Sequence, residues 1–290
     1  MKTQAHPTVS LVITTYNRSD ALLAVLRGLV RQKDRDFEVV VADDGSRPEH
    51  VQAVLQSPEA ALLKLIHVWH PDVGFTASKA RNRGVATASG DYIVLMDGDC
   101  VPEADFVAQH RRLAQQGCFV NGSRVLLSKA LTQQVLSGVS MTQRSIWWWL
   151  GQRLQGHANK LTGLLRLPAN LPQRMQPSFK WKGIRSCNMG VWKADYALVD
   201  GFDESFTGWG HEDADFVLRL HHAGLARKNG FCATEVFHLW HPEAARHEES
   251  HNAQTVRDRM STGQIKATRG YAQTWGDDVV TTHCAGARLG

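Results

Sequence analysis

The chain has 290 residues and 43% hydrophobic content, enough for one large or two small domains with a sizeable core. Its net charge of +5 is unevenly spread, because residues 106–194 contain no aspartate or glutamate while lysines and arginines continue through them. The five cysteines lack Cys-x-x-Cys spacing, which disfavours a zinc ribbon or a disulfide framework. The polar N-terminus and the absence of a long apolar run predict a cytoplasmic protein without a membrane span.

The first third of the chain alternates short apolar runs with amphipathic segments. Strands are predicted at 9–15, 37–42, 65–69 and 92–96, and helices at 48–55 and 76–88. A further helix is predicted to begin with Ser19 or Asp20 as its N-terminal cap and to run to residue 30. Buried strands separated by helices indicate an α/β fold with a Rossmann-like, mostly parallel central sheet flanked by helices.

Polar clusters follow three of the predicted strands, at 15–17, 43–44 and 97–99. In open α/β sheets, ligands bind outside the carboxyl ends of the strands, so the three clusters are expected to meet in one crevice. Asp97 and Asp99 are costly to bury without a partner, and hard cations such as Mg²⁺ or Mn²⁺ prefer oxygen ligands. The alternative is a solvated turn around Gly98 that caps the next helix near Glu103.

Residues 128–182 form a basic segment with a different composition, since they combine Trp147, Trp148 and Trp149 with lysines and arginines and contain no acid. Tryptophan beside basic residues is typical of helices that lie in a membrane interface. A pair of core helices with an exposed basic face is the alternative. No recognised nucleic-acid-binding motif accompanies the charge, so no nucleic-acid partner is predicted.

Compact motifs return after residue 183, at 186–192, 201–206 and 208–216. Glu212 and Asp213 are predicted in the first turn of a helix, where the helix dipole favours negative charge. His238 and His241 follow a last predicted strand and are both candidate metal ligands, with the choice between them left open. Residues 246–290 are expected to form a C-terminal helix and tail, disordered from about 276.

These motifs resemble those of a known enzyme family. Segments 12–18 (VITTYNR), 43–46 (DDGS), 80–84 (ARNRG) and 97–99 (DGD) are similar to the nucleotide-sugar half of family 2 glycosyltransferases, which have the GT-A fold. Segments 188–192, 201–204 and 208–213 resemble the carboxyl-terminal module of galactosyl- and N-acetylgalactosaminyltransferases.

The resemblance covers about 9–126 and 183–242. It implies a nucleotide-sugar-binding half at 1–127, the basic helical insert for acceptor or membrane contact at 128–182, an acceptor and catalytic module at 183–245, and the tail at 246–290. The middle segment resembles nothing recognised.

The resemblance also implies a role for individual residues. Those that would contact the nucleotide-sugar are Thr15, Tyr16, Arg18, Asp43 for the base, Arg81 and Asp97. Those that would hold the cation are Asp99, His238 and, as an alternative role, Asp97. Asp213 would be the general base, and the residues that would contact the acceptor are Trp209, Gly210 and Glu212. His211 departs from the family pattern, which often has glycine there.

The function implied is that of an inverting glycosyltransferase of bacterial lipopolysaccharide or capsule synthesis. It would use Mn²⁺ or Mg²⁺, take its sugar from a UDP-sugar, and work on a glycan or glycolipid acceptor at the inner face of the plasma membrane. A nucleotidyltransferase is a rival, but it would need a glycine-rich phosphate loop after the first strand, which 15–17 is not. A non-catalytic carbohydrate- or membrane-binding protein is a second rival, in which the paired acids at 97 and 99 and at 212 and 213 would be expected to decay.

Overall fold

The strands and helices follow the predicted alternation closely in a computed structural model that describes residues 6–142, 144–208, 210–242, 249–276 and 278–284. The strands are β1 (Val9–Thr15), β2 (Phe37–Asp43), β3 (Leu65–Trp69), β4 (Tyr92–Asp97), β5 (Cys100–Pro102), β6 (Cys118–Asn121), β7 (Ser123–Leu126), β8 (Met175–Gln176), β9 (Asn188–Trp192), β10 (Ala226–Asn229), β11 (Glu235–His238) and β12 (Val280–Cys284). The α-helices are α1 (Ser19–Val30), α2 (Pro48–Leu55), α3 (Pro58–Ala61), α4 (Ala77–Thr87), α5 (Phe106–Leu113), α6 (Lys129–Leu136), α7 (Ile146–Leu154), α8 (Lys193–Leu198), α9 (Glu212–His222) and α10 (Glu249–Arg259).

Within these described residues, the larger sheet has the strand order β12-β3-β2-β1-β4-β9-β6-β10-β8. Strands β3, β2, β1 and β4 are mutually parallel, whereas β9 is antiparallel to both β4 and β6. A smaller sheet has the order β5-β11-β7. Apolar side chains fill both faces of the larger sheet, as expected for parallel strands covered by helices. The predicted α/β class with a mostly parallel central sheet is confirmed.

The start of α1 differs from the prediction. Arg18, rather than Ser19 or Asp20, occupies the N-cap position, and its side chain makes no capping hydrogen bond. Ser19 is already helical and shares a hydrogen bond of 2.9 Å with His50, while Asp20 lies in the first turn. The prediction was therefore wrong by one or two residues, because the helix already includes both Ser19 and Asp20.

Strand β9 joins the second half of the chain to the first. It lies between β4 and β6, with Met96 opposite Asn188 and Asn121 opposite Met189. The buried Asn188 amide donates to the carbonyl oxygen of Ser123 at 2.9 Å and accepts from His110 at 3.0 Å. This side chain therefore ties the larger sheet to the smaller one.

Helix α4 packs closely on the sheet and so fixes the side chains that it presents. A Cβ at Gly84 would lie 2.6 Å from Val12 Cγ1 and 2.9 Å from Ala42 Cβ, so only glycine allows this approach. Asn82, two residues earlier, donates to the carbonyl oxygen of Phe202 and accepts from its N–H, each at 2.9 Å. The motif 80–84 thus anchors the helix to the sheet and to the loop that precedes α9.

The basic insert is helical only in part. It contains α6 and α7, two short 3₁₀ turns at Thr162–Leu164 and Pro172–Arg174, and the edge strand β8. Trp149 is buried and stacks on Phe237 with ring centroids 4.7 Å apart, whereas Trp147 is 78% exposed. Helix α7 therefore has one side in the core, as expected for a core helix, and another side in solvent that carries an exposed tryptophan.

The C-terminal part contains a helix, as the sequence predicted, and a strand that the sequence did not predict. Strand β12 pairs antiparallel with β3, so the expected disorder is wrong for 278–284. Helix α10 is held by Arg259, which forms ion pairs with Asp215 at 2.7 Å and Asp203 at 2.9 Å. Among the helices of the described residues, none has the length and apolar character needed to cross a membrane.

Candidate functional site

A cavity of about 700 Å³ opens at the carboxyl ends of β1 and β4 and reaches the N-terminus of α9. Thr14 at the end of β1 lies opposite Asp97 at the end of β4, which places the first and third polar clusters on neighbouring strands. The lining residues used below are Thr15, Tyr16, Asp44, Arg81, Asp97, Arg124, Trp181, Lys182, Gly183, Arg185, Gly210, His211, Glu212, Asp213 and His241.

One wall of the cavity carries Thr15, Tyr16 and Asp44. The Tyr16 hydroxyl donates to Asp72 at 2.7 Å, which orients the ring at the cavity mouth. Asp44 is buried, accepts from the Thr76 N–H at 3.0 Å, and pairs with His70 Nε2 at 3.1 Å. Its carboxylate is therefore fixed in position before any ligand binds.

Two residues assigned to the donor do not line this cavity. Asp43 accepts from the Ser46 N–H at 2.7 Å and pairs with His67 Nε2 at 3.0 Å. Both carboxylate oxygens of Asp44 also have protein partners, so such contacts do not distinguish the two acids. Arg18 forms an ion pair with Asp20 at 2.9 Å on the surface. Asp44, rather than Asp43, lines the cavity.

Arg81 connects the two halves of the site. Its guanidinium lies 3.3 Å from Asp97 Oδ1 and 3.3 Å from Glu212 Oε1, and the side chain is almost fully buried. Although burial disfavours the charged form, the surrounding carboxylates raise the pKa of Arg81 above its already high ordinary value. The cation therefore stays charged between an acid from β4 and an acid from α9.

The pKa of Asp213 lies above the ordinary range of an aspartate. Burial and then the neighbouring Glu212 carboxylate raise its pKa to about 7. Arg81 acts in the opposite direction and lowers the pKa of Asp213. A carboxylate poised near the working pH can take a proton from a substrate and release it afterwards.

The segment before α9 has an unusual backbone. His211 has a φ of 69° and Gly210 a φ of 112°, and both line the cavity. Asn252 of α10 donates to the Gly210 carbonyl oxygen at 3.0 Å, and Trp181 donates to His211 Nδ1 at 3.3 Å. These contacts place Glu212 and Asp213 at the cavity, while Trp209 lies outside the described residues.

A cluster of possible metal ligands lies beside the cavity, around Asp99. His241 Nε2 is 3.3 Å from one oxygen of Asp99, and His238 Nε2 is 3.7 Å from the other. His241 also lines the cavity. Cys100 completes a group with Asp99 and His238 whose ligand atoms lie within 4.8 Å of one another. Carboxylate suits Mn²⁺, imidazole suits several divalent transition metals, and thiolate favours softer ions.

Several cavity residues were missed by sequence reasoning. The family resemblance assigns the contact with the nucleotide base to Asp43, whereas Asp44 lines the cavity. Sequence does not show which of two adjacent side chains points toward a cavity after a strand ends. Trp181, Lys182 and Arg185 lie at the boundary of the basic segment, and their only sequence signal was its lack of acids.

Two family models match consecutive parts of the chain. Residues 10–164 match the family described as "Glycosyl transferase family 2". Residues 170–242 match the family described as "N-terminal domain of galactosyltransferase". The two matches meet across the cavity, since the first contains Asp97 and the second contains Asp213.

Curated relatives are larger proteins. The chain is 29% identical over 265 residues to validoxylamine A glucosyltransferase of Streptomyces hygroscopicus subsp. jinggangensis, covering 85% of this chain and 57% of that protein. It is 29% identical over 239 residues to chondroitin synthase of Escherichia coli, covering 74% of this chain and 32% of the synthase. The chain thus spans between a third and somewhat over half of these relatives.

Solved structures share the fold. The mannosyltransferase PcManGT of Pyrobaculum calidifontis, solved in complex with GDP-Man and Mn²⁺, has a TM-score of 0.57 at 18% identity, covering 90% of this chain and 69% of that one. TarS of S. aureus has a TM-score of 0.58 at 15% identity, covering 92% of this chain and 41% of that one. These neighbours are GT-A glycosyltransferases, so the GT-A fold predicted from sequence is confirmed.

We expect two substitutions to move the pKa of Asp213 in opposite directions. Glu212→Gln removes a carboxylate that raises the pKa, so the value falls below about 7, while Arg81→Met removes a cation that lowers it, so the value rises above about 7. The measurement is a ¹³C NMR pH titration of aspartate-labelled protein, with Asp213 assigned through Asp213→Asn. Shifts of the same sign in two folded variants would contradict the electrostatic account.

Proposed function

The chain belongs to glycosyl transferase family 2, and we propose that it transfers a sugar from a UDP-sugar to a glycan or glycolipid acceptor, with inversion at the anomeric carbon. The observation that carries the proposal is the placement of Asp213, with its pKa of about 7, in the same cavity as Asp44 and Asp97. A base for the acceptor and polar groups for the nucleotide thus line one space.

The donor is proposed to lie against the wall formed by Thr15, Tyr16 and Asp44. Asp44 takes the role of base recognition that the family resemblance gave to Asp43, because its carboxylate lines the cavity and that of Asp43 does not. Uracil presents a ring N–H that a fixed carboxylate can accept. Asp97 and Arg81 then lie toward the ribose and the diphosphate.

A divalent cation fits the cluster at the edge of the cavity. Asp99 supplies a carboxylate, which suits Mn²⁺, and His241 and His238 supply imidazole nitrogens, which bind divalent transition metals. When bound, such a cation supplies Lewis-acid stabilisation to a departing diphosphate. We propose that both histidines contribute, with Asp97 at the end of β4 as a neighbouring acid.

The proton and bond changes are assigned to this chain's own residues. Asp213 removes the proton of the acceptor hydroxyl as its oxygen forms a bond to the anomeric carbon. The bond from that carbon to the phosphate oxygen breaks at the same time, and the nucleoside diphosphate leaves with the electron pair. Glu212, held by Arg81, is proposed to orient the acceptor sugar, and a single displacement inverts the anomeric centre.

We expect Asp213→Asn to lower the turnover number by about 10²–10⁴-fold, the range of general-base catalysis, because an amide cannot take the acceptor proton. The KM for the nucleotide-sugar changes little, since Asp213 lies on the acceptor side. Steady-state kinetics across a panel of nucleotide-sugars and glycan acceptors measures both values.

The matched control for this experiment is Asp195→Asn. Asp195 is a half-buried acid in the first turn of α8 and does not line the cavity, so its amide should leave turnover unchanged. A folded Asp213→Asn protein with wild-type turnover would remove the base assignment.

We expect Asp99→Ala to weaken Mn²⁺ binding in the presence of UDP by at least about tenfold, because it removes the acid at the centre of the cluster. Isothermal titration calorimetry measures the affinity, and Asp36→Ala, whose side chain is 77% exposed, is the control. His238→Ala and His241→Ala, titrated separately, show which imidazole contributes. Unchanged affinity in Asp99→Ala would place the cation elsewhere.

The surface of α7 supports the proposed site of action at the inner face of a bacterial plasma membrane, in lipopolysaccharide or capsule synthesis. Trp147 and Leu154 are 78% and 88% exposed and lie seven residues apart, so they share one side of the helix. Arg144 and Arg153 lie close to them in sequence, and basic residues beside exposed apolar ones favour anionic lipid. The same composition is proposed to hold a lipid-linked acceptor near the cavity.

We expect Trp147→Ser to weaken binding to vesicles of phosphatidylglycerol and phosphatidylcholine by about tenfold, because a large apolar side chain no longer enters the interface. Co-sedimentation measures the binding. Trp275→Ser removes another tryptophan, 53% exposed but outside the insert, and should bind as the wild type does. Equal binding by both variants would contradict the membrane proposal.

A further inference from the structure

A second cavity lies beside the main one and has a different character. Its volume is about 300 Å³, and it shares Arg124, Gly183 and Arg185 with the main cavity. The remaining lining comes mainly from the ends of β6, β7 and β10 and from the insert, including Ser123, Lys160, Asn229 and Arg227. Thr15, Tyr16 and Asp44 do not line it, so it lies away from the proposed nucleotide wall.

The lining of this second cavity is strongly basic. Four cationic side chains border it, namely Arg124, Lys160, Arg185 and Arg227, and no aspartate or glutamate is among its described lining residues. None of the four forms an ion pair with a carboxylate in the part of the chain that the structure describes. Three of them come from residues 106–194, which contain no acid, so part of the positive charge of that stretch lies at this cavity.

Two of these cations are held in place by neutral partners. Arg227 donates to Asn229 Oδ1 at 3.0 Å and to the Gly183 carbonyl oxygen at 3.4 Å, and the Lys160 ammonium contacts the Ser123 hydroxyl. Burial lowers the pKa of Lys160. The charges of Arg185 and Arg124 act in the same direction, and the carboxylate of Glu235 acts in the opposite one. Cations brought together without counter-charges in a confined space attract anions strongly.

Glu235, which acts electrostatically on Lys160, does not line the cavity. Glu235 is fully buried and accepts from the backbone N–H groups of Cys232 and Ala233 at 2.6 and 3.0 Å. Arg174, a further buried cation nearby, donates to carbonyl oxygens, including those of Asn229 and Phe231. The positive charge of the four lining residues therefore has no protein counterpart facing the cavity.

We propose that the second cavity binds a phosphate group carried by the acceptor. The inference rests on the proposed function, because the cavity adjoins the main one through Arg124 and Arg185 and lies away from the nucleotide wall. Guanidinium groups match the oxygens of phosphate in pairs, and several cations suit a doubly charged group better than a single carboxylate. The acceptor is then a phosphorylated glycan or glycolipid.

The test measures binding of inorganic phosphate by ³¹P NMR titration at constant ionic strength. Lys160→Met, which keeps the length of the side chain and removes its charge, should weaken binding by about tenfold, as expected for loss of one charge-assisted hydrogen bond. Lys266→Met, whose lysine is exposed and lines neither cavity, is the matched control and should bind phosphate within about twofold of the wild type. Arg227→Met provides a second variant in case Lys160→Met does not fold.

Two results would overturn the inference. One is wild-type phosphate affinity in folded Lys160→Met and Arg227→Met proteins. The other is displacement of phosphate by UDP in the presence of Mn²⁺, which would show that the second cavity binds the donor. Phosphate that stays bound at saturating UDP and Mn²⁺ supports the acceptor assignment.

Slow hydrolysis of nucleotide-sugars by the wild-type protein separates this inference from the proposed function. Hydrolysis together with phosphate binding that does not depend on Lys160 would overturn the phosphate site alone. Absence of hydrolysis with every nucleotide-sugar would count against the proposed function, and it would overturn the acceptor assignment even if Lys160→Met lost phosphate.

Discussion

The buried guanidinium of Arg81 is the interaction on which the site depends. It lies between Asp97, which ends a strand of the first half, and Glu212, which begins a helix of the second half. Removing one partner from such a group leaves an uncompensated buried charge, which is strongly destabilising. The halves that match two different family descriptions are therefore joined electrostatically at the place where donor and acceptor are proposed to meet.

A second set of buried charges supports the same arrangement from behind. Asp215, in the first turn of α9, pairs with Arg219 at 2.8 Å and with Arg259 at 2.7 Å, and Arg259 also pairs with Asp203. These contacts fix the helix whose N-terminus carries Glu212 and Asp213. The helix thus carries two adjacent acids at the cavity and is anchored through a third acid, Asp215, which has two arginine partners.

Much of the fold could be predicted from the sequence, because buried parallel strands have an unmistakable apolar pattern, and strands β1 to β4 begin and end within one residue of the prediction. Asp97, Arg81 and Asp213 were predicted from motifs, and the structure brings them together in one cavity. The choice between Asp43 and Asp44 was beyond the sequence, because it depends on side-chain direction after a strand. Strand β12 was not predicted, because it lies at the edge of the sheet and its largely exposed residues show no apolar pattern.

The position of β9 has a consequence for exchanging parts between enzymes. Acceptor modules look separable in sequence, because the two family matches end and begin at 164 and 170. In the folded chain, however, β9 from the second match fills the space between β4 and β6, both from the first. A chimera cut at that boundary must therefore inherit a strand whose register and side chains suit a foreign sheet. An exchange confined to the loop before α9, which lines the cavity at Gly210 and His211, leaves the sheet intact.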